Sequence, residues 1–172
     1  MFWKRKAAAG REAPPAPPVG DLAAVRIFSP IAVIDGWVDL AEQRLSDVLN
    51  REDRLSVASI PHQPAGNQWI AMERADMLLV VPPPKIADLH LRRHRVKRNI
   101  LVLSGHYVVR GLVHMMPGIQ LDHFLARSGQ HFLPLTDARV TTTAWAEIDE
   151  GHPTLLVNVR STSQSLKIEV LA

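Results

Sequence analysis

Val25-Arg26-Ile27-Phe28-Ser29-Pro30, followed by Ile34-Asp35-Gly36-Trp37-Val38, is the stretch that decides the fold. Read beside it, Ile100-Leu101-Val102-Leu103-Ser104-Gly105 and Val109-Arg110-Gly111-Leu112-Val113 repeat its pattern at one offset of 75 residues. Apolar residues alternate, a turn residue (Pro30 or Gly105) interrupts them, and a glycine recurs inside the second run, which is the signature of a β-hairpin in each place. Working outward with one inserted residue, Arg44-Leu45-Ser46-Asp47-Val48-Leu49-Asn50 meets Gln120-Leu121-Asp122-His123-Phe124-Leu125-Ala126, and Trp69 meets Trp145. With one more, Leu78-Leu79-Val80 meets Leu155-Leu156-Val157. Apolar and turn residues persist while polar residues change, so what repeats is a packing scheme rather than a reactive site.

Leu45, Val48 and Leu49 fall at i, i+3 and i+4, as do Leu121, Phe124 and Leu125, which predicts one short helix per unit with a single buried face. Ser46 and Asp47 are the expected cap residues of the first. Strand patterning returns over Leu55 to Ile60 and His131 to Val140. A closing strand pair is expected in each unit: Trp69 to Met72 with Met77 to Val81, and Thr143 to Ile148 with Thr154 to Val159. Pro82-Pro83-Pro84 stops any regular element, after which Ile86 to Leu91 matches Ser165 to Leu171 as a final strand of each unit; the alternative for Lys85 to Asn99 is an amphipathic helix. The expected fold is α+β and mostly β, an internally duplicated, pseudo-twofold pair of small units that share a core or pack face to face. The organisation is a tail over 1–20, a first unit over 21–98 and a second over 99–172.

A chain of 172 residues, 47% of them hydrophobic, can bury a core of that size. No run approaches the roughly 18 to 20 apolar residues of a membrane-spanning helix, and the N-terminus lacks the apolar stretch of a secretory signal, so a cytoplasmic location is expected. The sequence has no cysteine, which removes disulfides and thiolate metal ligands.

Net charge is +3, with a sequence pI near 9.7, and the basic excess is local. Residues 1–20 place Phe2 and Trp3 ahead of Lys4-Arg5-Lys6 and then run into Pro14-Pro15-Ala16-Pro17-Pro18, a stiff extended spacer. Two aromatic residues and three cations at the end of such a tail suit shallow contact with an anionic membrane or a partner; a frayed, solvated terminus is the plainer reading. The second cluster, Arg92-Arg93-His94-Arg95-Val96-Lys97-Arg98, lies in a stretch from Leu89 to Leu121 free of Asp and Glu. Arg92, Arg93, Arg95, Lys97 and Arg98 are candidates for binding phosphates, with steep salt dependence. They equally suit an edge strand guarded by charge against edge-to-edge pairing.

Reactive constellations are weak. His90 and His94 would share a helix face as metal ligands, but the surrounding cations repel a divalent ion, and on a strand the two sit about 13 Å apart. Ser104, His106, Asp122 and His123 lack a nucleophile elbow. No phosphate loop, dinucleotide fingerprint or His-Glu-x-x-His is present. The expectation is no enzyme, no metal, no cofactor and no small-molecule substrate.

Asp35-Gly36-Trp37-Val38 with Arg44-Leu45-Ser46-Asp47-Val48-Leu49-Asn50, and Phe132-Leu133-Pro134-Leu135-Thr136-Asp137-Ala138-Arg139-Val140 after Arg110-Gly111-Leu112-Val113, resemble a family of small bacterial proteins of unknown function. The family pattern is a strand ending Gly-x-Val, an Arg-Leu-Ser-Asp-x-Leu-Asn helix and a Phe-Ile-x-Leu-Thr-Asp-Ala-x-Val strand. The first unit keeps the helix motif and the second keeps the Thr-Asp-Ala strand. The resemblance implies a tandem duplication and carries no activity. The function expected is a non-catalytic binding or assembly module, an adaptor or structural subunit with a protein partner or self-association, held at the cytoplasmic membrane face by its tail. The alternative is a nucleic-acid or nucleotide-phosphate binder using Arg92 to Arg98.

Overall fold

The alternating runs of the sequence become ten antiparallel strands in a computed structural model that describes residues 22–59, 68–84, 96–127, 129–142, 144, 148–161 and 166–171. The strands are β1 (Ala23–Phe28), β2 (Val33–Val38), β3 (Arg54–Ser59), β4 (Gln68–Glu73), β5 (Leu79–Val81), β6 (Val96–Ser104), β7 (Tyr107–Met115), β8 (Phe132–Thr142), β9 (Ile148–Asn158) and β10 (Leu166–Val170). Helix α1 (Leu45–Arg51) joins β2 to β3, and α2 (Leu121–Arg127) joins β7 to β8. The strands form one sheet in the order β10-β6-β7-β8-β9-β5-β1-β2-β3-β4. The fold is therefore mostly β, with few helical residues.

The order contains the same five-strand arrangement twice, β5-β1-β2-β3-β4 and β10-β6-β7-β8-β9, joined where β5 pairs with β9. The two stretches thus meet edge to edge in a continuous sheet, not face to face. At the junction Leu79 lies opposite Val157 and Val80 opposite Leu156. Neighbouring residues of a strand point to opposite faces, and the two faces serve different cores. Leu79 and Val157 join a cluster with Ile100, Tyr107, Val109 and Leu135, while Val80 and Leu156 join another with Ile27, Leu49, Val57 and Phe132. Strands buried on both faces read as unbroken apolar runs instead of alternating ones, which accounts for Met77-Leu78-Leu79-Val80 and Leu155-Leu156-Val157.

Helix α1 buries Leu45, Val48 and Leu49, as its spacing requires, but its cap differs from expectation. Arg44 occupies the N-cap with extended backbone and no side-chain hydrogen bond, while Ser46 Oγ turns to the Asp47 carboxylate at 3.4 Å. Both residues lie inside the first turn, two and three positions past the N-cap, too late to cap it.

The closing pair expected of Trp69 to Met72 with Met77 to Val81 does not form. β4 pairs with β3, whereas β5 pairs with β1 and β9, so the two strands stand at opposite ends of their half. In the other half, Thr143 and Trp145 to Glu147 of the strand expected over Thr143 to Ile148 lie outside the described residues, and Thr154 to Asn158 belongs to an eleven-residue strand that begins at Ile148. Pro153 is accommodated inside it where the β8 register passes from Thr136↔Thr154 to Ala138↔His152, opposite Asp137 with its φ of 50°. Asp137 belongs to a bulge of β8 against β7, where the register shifts between Arg110↔Arg139 and Leu112↔Thr136, while the register with β9 runs unshifted past Pro153.

Candidate interaction site

Four regions of the sheet bear on function: the seam between the halves, a polar cleft at one end of that seam, the basic strand β6, and the two outer edges. The seam is held by more than its apolar ladder. Tyr107 Oη donates to the Ser29 carbonyl at 3.0 Å, and its ring meets Phe28 edge-on with centroids 5.4 Å apart. Burial pushes the Tyr107 phenol up to about 12, against the opposing pull of the Arg26 charge. Arg26 on β1 donates to both Asp35 oxygens, at 2.7 and 2.9 Å, and to Glu150 Oε1 on β9 at 2.9 Å. Glu150 Oε2 lies 3.3 Å from Nε2 of the buried His152. Charge-assisted bonds of this geometry fix orientation as well as energy.

At the other end, Asn158 Nδ2 donates to the carbonyls of Arg74 and Met77 at 2.9 and 3.1 Å, and Ser161 Oγ donates to the Ala75 carbonyl at 3.0 Å. Here a cleft of about 590 Å³ opens among Asp53, Arg54, Glu73, Arg74, His131 and Arg160. Its charges are engaged mostly with one another. Arg74 pairs with Asp53, Arg54 with Glu73 at 2.5 Å, and Arg74 also reaches the Glu52 carbonyl at 3.2 Å. Burial, and then the charges of Arg74 and Arg160, hold His131 below its ordinary value despite Asp53. The cleft can admit a carboxylate or phosphate beside Arg160, which forms no ion pair among the described residues. Sequence reasoning missed it because its residues come from four separate segments.

Of the basic candidates, Lys97 and Arg98 lie exposed near the start of β6, and Arg92, Arg93 and Arg95 fall outside the described residues. Lys97 and Arg98 pair on one side with His114 and Val113 of β7. β10 pairs only with Ile100 to Ser104 of β6, so both cations stand beyond its end. Phe2, Trp3, Lys4, Arg5 and Lys6, the strand expected over Ile86 to Leu91, the histidine pair His90 and His94, and Trp145 also fall outside the described residues. Ser104 is buried at the β6–β7 turn, where Gly105 takes the left-handed conformation that lets a two-residue connection close. Among the described residues no group of three or more His, Asp or Glu is placed to hold a metal ion, and no helix is long and apolar enough to cross a membrane.

The outer edges are β4 and β10, each with one strand neighbour among the described residues. Trp69 is 55% exposed and Ile70 36% on β4, and Val170 is 54% exposed on β10. Exposed apolar side chains on an unpaired strand are a template for strand addition. Lys167 and Glu169, paired at 2.5 Å, precede Val170 on the same strand. Comparison with family models, with curated proteins and with solved structures returns no match for this chain.

Proposed function

We propose that the chain is a non-catalytic assembly module, an adaptor or structural subunit, built from two β-rich units that arose by tandem duplication. The two units span residues 21–98 and 99–172, behind a tail over 1–20. The observation that carries this reading is the seam: one five-strand arrangement joins another of the same order by adding edge strand β5 to edge strand β9. A chain that associates its own halves through sheet edges, and leaves Trp69, Ile70 and Val170 exposed on the two outer edges, is equipped to add a further strand. The resemblance to small bacterial proteins through the Arg44–Asn50 and Thr136–Ala138 motifs agrees with a duplicated unit. In this reading Phe2, Trp3, Lys4, Arg5 and Lys6 hold the module at the cytoplasmic membrane face.

The test is capture of the tagged full-length chain from nuclease-treated lysate at low and moderate salt, with membrane and soluble fractions scored beside a chain lacking residues 1–20. An assembly module retains its partner at constant stoichiometry in both salts, because an apolar strand interface is little screened. Loss of all partners at both salts contradicts the reading.

A second reading is supported by Lys97 and Arg98, exposed on β6 beyond the reach of β10. In this reading they act with Arg92, Arg93 and Arg95 in binding nucleic acid or nucleotide phosphate. Its signature is binding that falls steeply with salt and disappears in Arg93→Glu/Arg95→Glu.

A further inference from the structure

The seam dictates what the outer edges fit. Offsetting β1 and β2 by 75 residues onto β6 and β7 carries the pairings of one half onto those of the other. Ile27↔Val80 becomes Val102↔Ile168, and Val25↔Gly36 becomes Ile100↔Gly111. In the same way Val57↔Ile70 corresponds to Leu135↔Leu155, and Leu55↔Met72 to Leu133↔Val157. β10 therefore occupies the place of β5, and β4 the place of β9.

The backbone bonds agree. Arg74 N–H donates to the Asp53 carbonyl as Val159 N–H does to that of His131, and Leu171 N–H donates to the Asn99 carbonyl. Antiparallel strands alternate their bonding direction residue by residue. Trp69, Ala71 and Glu73 of β4 consequently turn their backbone groups away from β3, and Ile168 and Val170 of β10 turn theirs away from β6. These are the positions that bond across the internal seam, where Asn158 N–H donates to the Leu78 carbonyl at 2.9 Å.

We infer that copies of this chain join head to tail, β4 of one copy pairing antiparallel with β10 of the next in the register of the β9–β5 seam. This rests on the reading of the chain as an assembly module and names its partner as a second copy. Transferring Leu79↔Val157 and Val80↔Leu156 gives Lys167 opposite Met72, Ile168 opposite Ala71, Glu169 opposite Ile70 and Val170 opposite Trp69. The register is fixed by the seam alone, yet it sets Val170 and Trp69, each more than half exposed, directly against each other. An aromatic against a β-branched residue is a favourable cross-strand pair. Lys167 and Glu169 replace the seam's Leu79 and Val81, so the joint between copies is less apolar than the joint within one, and it forms reversibly. A heterologous contact of this kind closes into a ring or continues as a filament.

The experiment is light scattering after size exclusion on the full chain over a wide range of concentrations, with Ala71→Pro and Val170→Pro as edge blockers. Proline at these positions removes an outward N–H and leaves the ladder to β3 or β6 intact, and circular dichroism checks that both variants stay folded. The wild-type chain should exceed its monomer mass of 19.1 kDa by at least twofold. Each variant alone should be monomeric, and an equimolar mixture should stop at a one-to-one dimer, since each variant retains the edge the other lacks. Association by either variant alone overturns the inference. A wild-type chain that is monomeric throughout but holds another protein at fixed stoichiometry overturns the inference and leaves the assembly-module reading standing; a monomer that holds nothing overturns both.

Discussion

The side-chain oxygen of Asn50, at the C-terminal end of α1, accepts the backbone N–H of Phe132 at 3.0 Å and that of His131 at 2.7 Å. A helix of the first half thereby satisfies the start of a strand in the second, and Asn50 Nδ2 is anchored to the Ser46 carbonyl at 2.7 Å. Asn50→Ala leaves two donors without that acceptor at the edge of a core holding the fully buried Phe132. The expected cost is about 1–3 kcal/mol, read as a lower urea midpoint with unchanged slope. Asn50→Asp keeps the acceptor and should cost less.

Gly36 and Gly111 are not equally replaceable. A Cβ at Gly36 would lie 2.6 Å from the Ala58 carbonyl oxygen and 2.6 Å from Val57 Cγ1, so backbone must shift, whereas at Gly111 the nearest atom is Leu135 Cβ at 3.2 Å. Overpacking of this kind costs about 1–3 kcal/mol. Gly36→Ala should destabilise at the upper end of that range and Gly111→Ala at the lower end, by thermal or urea unfolding under one set of conditions.

The buried Tyr107 makes stability fall in alkali. Its phenol has an ordinary value of 10.0 and is raised to about 12 in the fold. An upward shift means that the folded state keeps the proton the unfolded state gives up. The stabilisation is complete below pH 10 and is lost progressively as pH rises through about 12. Tyr107→Phe removes the bond to Ser29, costs about 1 kcal/mol at neutral pH, and should flatten the alkaline decline. Urea midpoints of both proteins across that window test this.

How much of this was legible in the sequence differs from element to element. The hairpins at Ser29-Pro30 and Ser104-Gly105 and the helix faces of Leu45, Val48 and Leu49 follow directly from periodicity and turn chemistry. The match of Leu78-Leu79-Val80 with Leu155-Leu156-Val157 was legible but misplaced. β5 and β9 resemble each other because both are buried on two faces, and they are cross-strand partners, not the same place in two units. The edge-to-edge joint, the cleft around Arg74 and His131, and the exposed pair Trp69 and Val170 depend on long-range register. Local sequence does not carry register, because any apolar strand can pair with several others.

Complementarity of β4 and β10 in one fixed register is directly measurable, because the chain has no cysteine of its own. Ile70→Cys in one preparation and Glu169→Cys in another place thiols on residues that would be opposite, within the roughly 4.4–6.8 Å Cα separation a disulfide spans. Mixed under mild oxidation, the two should yield a 70–169 cross-linked heterodimer as the main product, identified by peptide mass. Cross-links chiefly within one preparation, 70 to 70 or 169 to 169, or none beyond a control with the thiol moved to Asp122, would contradict it.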